Sequence, residues 1–245
     1  MRQMNISIDD VSPHRLSGLD VIDRCYDVIR HFPDVKFTLF VPTAYWRTVV
    51  IPGRADTTTR RALFINEHPE FCRQLAKLPR SNFEVGYHGR FHGIPGRSNN
   101  DEFRSIDTSV CATLWHDMNL DVSNAGLTHV FKDIFRPPAM YMSPDALRFF
   151  AARDVTLALS PRQIHVSSYG DALVEVLDKV VFANVWIPDD RLDDVSCDEH
   201  IELLYHACSW DGGYFNSERV AELITWLGSN EVRHSFMDEM RGLSC

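Results

Sequence analysis

The stretch Met-Asn-Ile-Ser-Ile-Asp-Asp, residues 4–10, is an apolar and β-branched run that ends in two acids. Two later stretches have the same arrangement: Phe-Glu-Val-Gly-Tyr-His-Gly-Arg-Phe-His at residues 83–92 and Glu-Leu-Leu-Tyr-His at residues 202–206. Each apolar run predicts a β-strand, and carboxylates or imidazoles lie just beyond it. Because sites in parallel α/β folds assemble at the C-terminal ends of strands, we expect these side chains to share one site.

Strand-like and helix-like segments alternate along the rest of the chain, which predicts a mostly parallel sheet with helices outside it. The predicted strands are residues 4–8, 35–41, 83–87, 130–135, 155–159, 180–187 and 200–205. The predicted helices are residues 18–32, 69–78 and 101–118, a helix capped by Ser143 through Ala152, and a helix capped by Asn216 through Leu227. Seven strands favour a barrel over an open sheet. No linker splits the chain, so residues 1–245 are expected to form a single domain.

Composition narrows the class of protein. The net charge of −9 argues against a general nucleic-acid binder, whose surface would be basic. No apolar run is long enough to predict an integral membrane segment. The cysteines form no C-x-x-C pair, so they predict reduced thiols and a cytoplasmic location rather than a disulfide framework. They are Cys25, Cys72, Cys111, Cys197, Cys208 and Cys245.

Asp9 and Asp10 end the first predicted strand. Side chains alternate along a strand, so adjacent acids are expected to point to opposite sides and to hold different roles on one rim. The alternative is a pair of turn or helix-cap acids before Pro13.

His88 and His92 follow the third predicted strand and are four residues apart. In a helical turn that spacing brings both rings to one side, where they can bind one metal ion. The alternative is a polar loop, or histidines with hydrogen-bond partners beside the core.

Two further residues stand at strand ends. Arg136 precedes Pro137 and Pro138, and a rigid turn of this kind suits an arginine with a fixed carboxylate partner. His206 ends the last predicted strand, where it can act as a general acid or base. The alternatives are a surface arginine and a buried histidine bound to the backbone. Their joint occurrence at strand ends favours a site for metal-assisted hydrolysis.

The order of these motifs resembles a known family. Ile-Asp-Asp, His-x-x-x-His, Arg-Pro-Pro and Leu-Tyr-His, spread over residues 6–206, are similar to the motifs of the polysaccharide deacetylase superfamily. This group is also called the NodB-homology or carbohydrate esterase family 4 group, and the chain resembles its short, divergent intracellular members. The resemblance implies a distorted (β/α) barrel with about seven parallel strands. It also implies metal-dependent removal of an N-acetyl group from a sugar.

The resemblance also implies roles for individual residues. Asp9 matches the catalytic base, Arg136 the arginine that orients it, and His206 the general acid. The metal ligands it implies are Asp10, His88 and His92. Asp154 is aligned with the acid of the fourth family motif. The chain departs from the family at Val11, where a glycine is usual, and at Gly89, where the family has Ser or Thr.

Two histidines and one carboxylate suit one divalent ion, Zn²⁺ first, with Fe²⁺, Co²⁺ and Ni²⁺ also accommodated. A cytoplasmic location favours a nucleotide- or lipid-linked acetamido sugar of cell-surface polysaccharide biosynthesis. The long connection at residues 42–67 contributes arginines that could meet a diphosphate or simply be solvated: Arg47, Arg54, Arg60 and Arg61. Two other functions stay open: a deformylase or other C–N amidohydrolase, and a non-catalytic carbohydrate-binding descendant.

Overall fold

A curved parallel sheet dominates the computed structural model of the chain, which describes residues 1–194 and 200–243. The strands are β1 (Arg2–Asp9), β2 (Phe37–Val41), β3 (Ala44–Tyr45), β4 (Leu63–Phe64), β5 (Phe83–Tyr87), β6 (Phe131–Phe135), β7 (Thr156–Leu159), β8 (Val180–Phe182), β9 (Val185–Trp186), β10 (His200–His206) and β11 (Val232–His234). The main sheet has the order β8-β7-β6-β5-β2-β1-β10-β9, and β11 pairs with the start of β1. Strands β3 and β4 form a separate antiparallel pair.

The two edges of this sheet, β8 and β9, are consecutive in the chain. The predicted strand at residues 180–187 is therefore two short strands, and they lie at the two opposite edges of the curved sheet. Ala183 still donates its N–H to Leu159 of β7, at 2.7 Å. The side chain of Asn184 then bonds β10, donating to the carbonyl of His200 and accepting from the N–H of Glu202, each at 2.9 Å. Chain continuity and one amide side chain thus close the barrel.

Seven helices flank the sheet within the described residues. They are α1 (Val21–His31), α2 (Pro69–Ala76), α3 (Thr108–Asn124), α4 (Pro144–Ala151), α5 (Gln163–Tyr169), α6 (Ala172–Glu175) and α7 (Ser217–Ser229). The predicted caps Ser143 and Asn216 do accept backbone N–H bonds at the first turns of α4 and α7. The prediction for residues 101–118 is wrong at both ends, since α3 begins at Thr108 and ends at Asn124. The helix begins there because Asp107 caps it by accepting from the N–H of Val110.

The interior of the barrel is filled at its N-terminal end. Inward-facing side chains pack there against the segment Met237–Met240, forming a cluster of Phe40, Ile134, Ala158, Val181, Met237 and Met240. Gly86 leaves room for this packing, since a Cβ atom there would lie 2.9 Å from the carbonyl oxygen of Ile134. With that end closed by apolar contacts, the open end of the barrel is the one where the strands terminate.

Four cysteines within the described ranges are buried and free, as the sequence predicts: Cys25, Cys72, Cys111 and Cys208. Cys197 and Cys245 lie outside the described residues. Across residues 1–194 and 200–243, no helix combines the length and apolar character needed to cross a membrane. The single domain and the cytoplasmic location stay predictions.

Candidate functional site

The C-terminal ends of β1, β5, β6 and β10 surround a cavity of about 700 Å³, and only β2 intervenes among these strands in the sheet. The residues predicted from strand ends converge here, although the strands that carry them are far apart in the chain. Those that line the cavity are Asp9, Asp10, His88, His92 and His206. Arg136 lies beneath them, fully buried, and contacts Asp9.

Asp10, His88 and His92 place three ligand atoms within 4.8 Å of one another. Asp10 Oδ1 lies 3.0 Å from His92 Nε2 and 3.7 Å from His88 Nε2. The Nδ1 atoms donate to backbone carbonyls, of Arg136 at 2.9 Å and of Asn99 at 2.6 Å. Both Nε2 atoms are therefore turned toward Asp10 Oδ1 and are the nitrogens that would coordinate an ion. This donor set fits one divalent ion.

Protonation of the three groups follows from burial and mutual contact. Burial lowers the pKa of His88 to about 4. Burial alone would also lower the pKa of His92, but the Asp10 carboxylate raises it above its ordinary value. Burial would raise the pKa of Asp10, yet His92 and His88 hold it well below its ordinary value. The cluster is thus an ionised carboxylate beside one neutral imidazole and one imidazole that shares its proton with that carboxylate.

The second oxygen of Asp10 has its own partner. Oδ2 accepts from the thiol of Cys208 at 2.9 Å, and Ser17 Oγ lies 3.2 Å from the same sulfur. Burial raises the pKa of Cys208, so the thiol keeps the proton that it donates. Cys208 follows β10 in an irregular segment and carries no strand-end pattern, so nothing in the sequence predicts this contact.

Local backbone conformation corrects two of the sequence arguments. His88 and His92 lie on an irregular loop rather than a helical turn, with Gly89 at φ 75° and His92 at φ 72°. Asp10 has a φ of 63°, so strand alternation ends at Asp9. The left-handed conformation turns the Asp10 carboxylate into the same cavity that Asp9 lines. The two acids therefore share one side.

Glu102 holds residues 88–92, the histidine loop, in place, and no pattern in the sequence indicates this role. Its carboxylate accepts the backbone N–H groups of Arg90 at 2.8 Å, Phe91 at 2.9 Å and His92 at 3.2 Å. Burial raises the pKa of Glu102 to about 7, although these bonds act to lower it. A Cβ atom on Gly89 would lie 2.2 Å from Glu102 Oε2, which explains why the usual Ser or Thr is absent.

Arg136 joins two carboxylates at the bottom of the cavity. Its Nη1 donates to Asp9 Oδ1 at 2.7 Å and to Ser7 Oγ at 2.6 Å, and its Nη2 lies 2.9 Å from Glu202 Oε1. Burial would lower the pKa of Arg136, but Asp9 and Glu202 raise it, so the guanidinium stays charged. Glu202 was not among the residues predicted for the site. Alternation along β10, which puts Glu202 on the same face as His206, was the available signal.

His206 is 25% exposed, and its Nδ1 lies 3.3 Å from Asp211 Oδ1. The chain turns back tightly at Gly213, where a Cβ atom would lie 2.9 Å from that Nδ1. Asp211 is therefore the acid beside the late histidine. Asp154 lies instead on the surface, in ion pairs with Lys179 at 2.8 Å and Arg241 at 3.0 Å, and is not part of the site.

The arginines of the long connection separate into two groups. Arg47 and Arg54 line the cavity. Arg60 is exposed, and Arg61 forms a surface ion pair with Glu67 at 3.3 Å. The structure therefore brings two of the four predicted arginines to the site.

No family model matches the chain, and no curated protein matches it. Two solved structures are similar to it over nearly their whole length. One is a T48 deacetylase with substrate, with a TM-score of 0.54 at 12% identity, covering 98% of this chain and 90% of that one. The other is a family 4 carbohydrate esterase from Streptomyces lividans in complex with acetate, with a TM-score of 0.55 at 11% identity, covering 99% and 97%. The expected polysaccharide-deacetylase-like fold, a distorted (β/α) barrel, is confirmed.

Proposed function

We propose that the protein is a metal-dependent hydrolase that removes an N-acetyl or other N-acyl group from a sugar. One observation carries the proposal: the ligand cluster of Asp10, His88 and His92 opens into the cavity that Asp9 and His206 also line. The fold shared with a deacetylase and a carbohydrate esterase supports it by analogy.

The ion would be held by Asp10 Oδ1 and the Nε2 atoms of His88 and His92. We propose Zn²⁺, with Fe²⁺, Co²⁺ or Ni²⁺ as substitutes that the same ligands accept. Bound there, a divalent ion supplies Lewis acidity, which makes water a better nucleophile and stabilises negative charge on a carbonyl oxygen.

Asp9 is the proposed base that takes the proton from the attacking water. Its Oδ1 is held by Arg136 at 2.7 Å, while its Oδ2 remains available at the cavity, 3.9 Å from His88 Nε2. The buried guanidinium favours the ionised carboxylate and fixes its orientation. Glu202 on the other side of Arg136 keeps that cation in place.

His206 is the proposed acid that protonates the leaving amine. Asp211 lies beside Nδ1, so Nε2 is the nitrogen left to face the substrate. His206 pairs in register with Asp9 on the neighbouring strand and lines the same cavity as the ligand cluster, and a protonated imidazole there can deliver its proton as the C–N bond breaks.

The proposed substrate is a nucleotide- or lipid-linked acetamido sugar. Three aromatic side chains line the cavity, Tyr141, Trp186 and Trp210, and give apolar faces against which a sugar ring can pack. Arg47 and Arg54 also line the cavity.

The proposal can be tested by incubating metal-loaded protein with N-acetyl and N-formyl amino sugars. Released acetate and released formate are measured separately. We expect acetate release that a chelator abolishes and added metal restores, and no release by the variant His88→Ala. Formate release without acetate would identify a deformylase. Bound metal without release from any N-acyl sugar would support the carbohydrate-binding alternative and contradict an enzyme.

A further inference from the structure

Arg47 is a cation built into the wall of the cavity. The residue is only 5% exposed. Its Nε has no hydrogen-bond partner among the described residues, and neither it nor Arg54 forms an ion pair with a carboxylate there. Burying a charged group without a counter-ion is costly, so a buried arginine with no acid partner points to a ligand that supplies one.

The backbone fixes where Arg47 lies. Residues 43–46 run alongside the histidine loop, with Ala44 donating to the carbonyl of Arg90 at 2.8 Å and Trp46 donating to that of Phe91 at 3.1 Å. Arg47 is the next residue after Trp46 in the first of these paired segments, and His92 is the next residue after Phe91 in the second. Burial would lower the pKa of Arg47, but Tyr45 and Asp10 raise it, which keeps the guanidinium charged beside the ligand cluster.

The acids that line the cavity already have partners. Each lies within ion-pairing distance of another basic group: Asp9 of Arg136, Asp10 of His92, Asp189 of Arg162, and Asp211 of His206. A divalent ion on the cluster would also occupy Asp10. Arg47 would then face the cavity with no acid beside it.

A second arginine reaches the same corner. The guanidinium of Arg47 lies 5.2 Å from the centre of the Trp210 ring, and Nη1 of Arg54 donates to the carbonyl oxygen of Trp210. Both cations therefore contact the same residue, Arg47 at its indole and Arg54 at its backbone carbonyl. Guanidinium groups bind phosphate and carboxylate oxygens through paired N–H donors, so the corner has the chemistry of an anion site.

We propose that the corner formed by Arg47, Arg54 and Trp210 binds an anionic substituent of the substrate, a phosphate or carboxylate group carried by the N-acyl sugar. The assignment rests on the proposed function of the neighbouring ligand cluster. It assigns the residues that would hold the charged part of the substrate and places that charge close to the scissile amide, and it gives Arg60 and Arg61 no part in binding.

Calorimetric titration of the zinc-loaded protein tests the proposal without requiring turnover. The probes are N-acetylglucosamine, N-acetylglucosamine 1-phosphate and N-acetylmuramic acid, which are neutral, phosphorylated and carboxylated. We expect at least one anionic probe to bind about 10- to 100-fold more tightly than the neutral sugar. The stronger of the two anionic probes identifies the group. Equal affinity for all three probes overturns the proposal.

The matched variants are Arg47→Gln and Arg60→Gln. The first removes one positive charge from the cavity, and the second removes one from an exposed position in the same connection, residues 42–67. Arg47→Gln should lose the preference for the anionic probe while keeping zinc, and Arg60→Gln should retain it. A preference that persists in Arg47→Gln means that phosphate binds the metal alone, and equal losses in both variants mean a general charge effect. Either result overturns the proposal.

Arg54→Gln provides an independent check, because this exposed side chain can be removed without opening the core. It should reduce the preference by a few-fold. Binding and catalysis distinguish a failure of the anion site from a failure of the proposed function. An anion preference without acyl release would contradict the proposed function alone, and release from neutral sugars without any preference would contradict the anion site alone.

Discussion

Asp9 and Asp10 are neighbours in the chain and yet contact different partners. Asp9 is bound to the buried Arg136, and Asp10 lies 3.0 Å from Nε2 of His92. The difference arises from one backbone angle, the positive φ of Asp10, which turns its carboxylate toward the histidines. Strand pattern could place the pair at a strand end. It could not give this angle, because a left-handed residue depends on the packing around it.

Substituting each acid with asparagine should separate their roles. Asp9→Asn should keep one metal ion per chain and lose turnover by about 10²- to 10⁴-fold, since an amide cannot accept the proton from water. Asp10→Asn should weaken metal binding instead. Metal analysis and acyl-release rates on the same preparations measure both effects. Near wild-type turnover by Asp9→Asn would show that Asp9 is not the base.

The histidine pair should release one proton, not two, when a metal ion binds at about pH 6. His88, with its pKa lowered to about 4, is already neutral there. His92 has a raised pKa and must lose its proton to the ion. Affinity should therefore rise with pH until the pKa of His92 is passed and then level off.

Calorimetry in buffers with different heats of protonation counts these protons. Release of two protons per ion would contradict the neutral state assigned to His88. In the variant His92→Ala, the remaining binding should have almost no pH dependence in this range.

The loop between β5 and α3 shows why elements were easier to predict than their ends. Apolar periodicity identified β5 because its side chains are all buried. Helical periodicity likewise extended a predicted helix back to residue 101, which concealed Glu102. The role of Glu102 depends on its bonds to the backbone N–H groups of residues 90–92. Bonds from a side chain to distant backbone leave no periodic trace in a sequence. The short helix α6 was missed because four residues are too few to show a helical period.

Gly89→Ser should disrupt the histidine loop, and Gly96→Ser is its matched control. Both glycines have a φ of 75°, so both substitutions carry the strain of a left-handed residue. Only at Gly89 would the new Cβ meet Glu102, at 2.2 Å, whereas nothing lies within 4 Å at Gly96. Zinc affinity should fall at least about 10-fold in Gly89→Ser. Titration with a zinc indicator measures it, and similar losses in both variants would contradict the crowding by Glu102.

At the scale of the whole molecule, alternation of strands and helices predicted the parallel sheet, and the count of strands and the motif resemblance favoured a barrel. None of these signals gave the position of its closure. The run at residues 180–187 reads as one strand because its residues are apolar on both sides of Ala183 and Asn184. The break between the two strands is set by hydrogen bonds between the side chain of Asn184 and β10. Because β10 comes later in the chain, the pattern within residues 180–187 carries no sign of these bonds.

Asn184→Ala should weaken this closure. The substitution removes two hydrogen bonds and leaves a carbonyl of His200 and an N–H of Glu202 without partners, so the free energy of unfolding should fall by about 2 kcal/mol. Asn230→Ala is the control, since Asn230 makes a local bond to Trp226 at the end of α7. It should cost under about 0.5 kcal/mol. Urea unfolding measures both, and equal effects would show that Asn184 has no special part in closure.

Strand β1 lies between β2 and β10, and Gln3 pairs with His200. During synthesis on the ribosome, one edge of the first strand therefore waits for almost the whole chain to emerge. At about 5–20 residues per second, that interval is on the order of ten seconds or more. An unpaired strand edge is open to wrong partners throughout. The strand that ends at Asp9 is thus made before the other strands of the sheet and is among the last to be enclosed, so slower translation should lengthen the exposure of the nascent protein to aggregation.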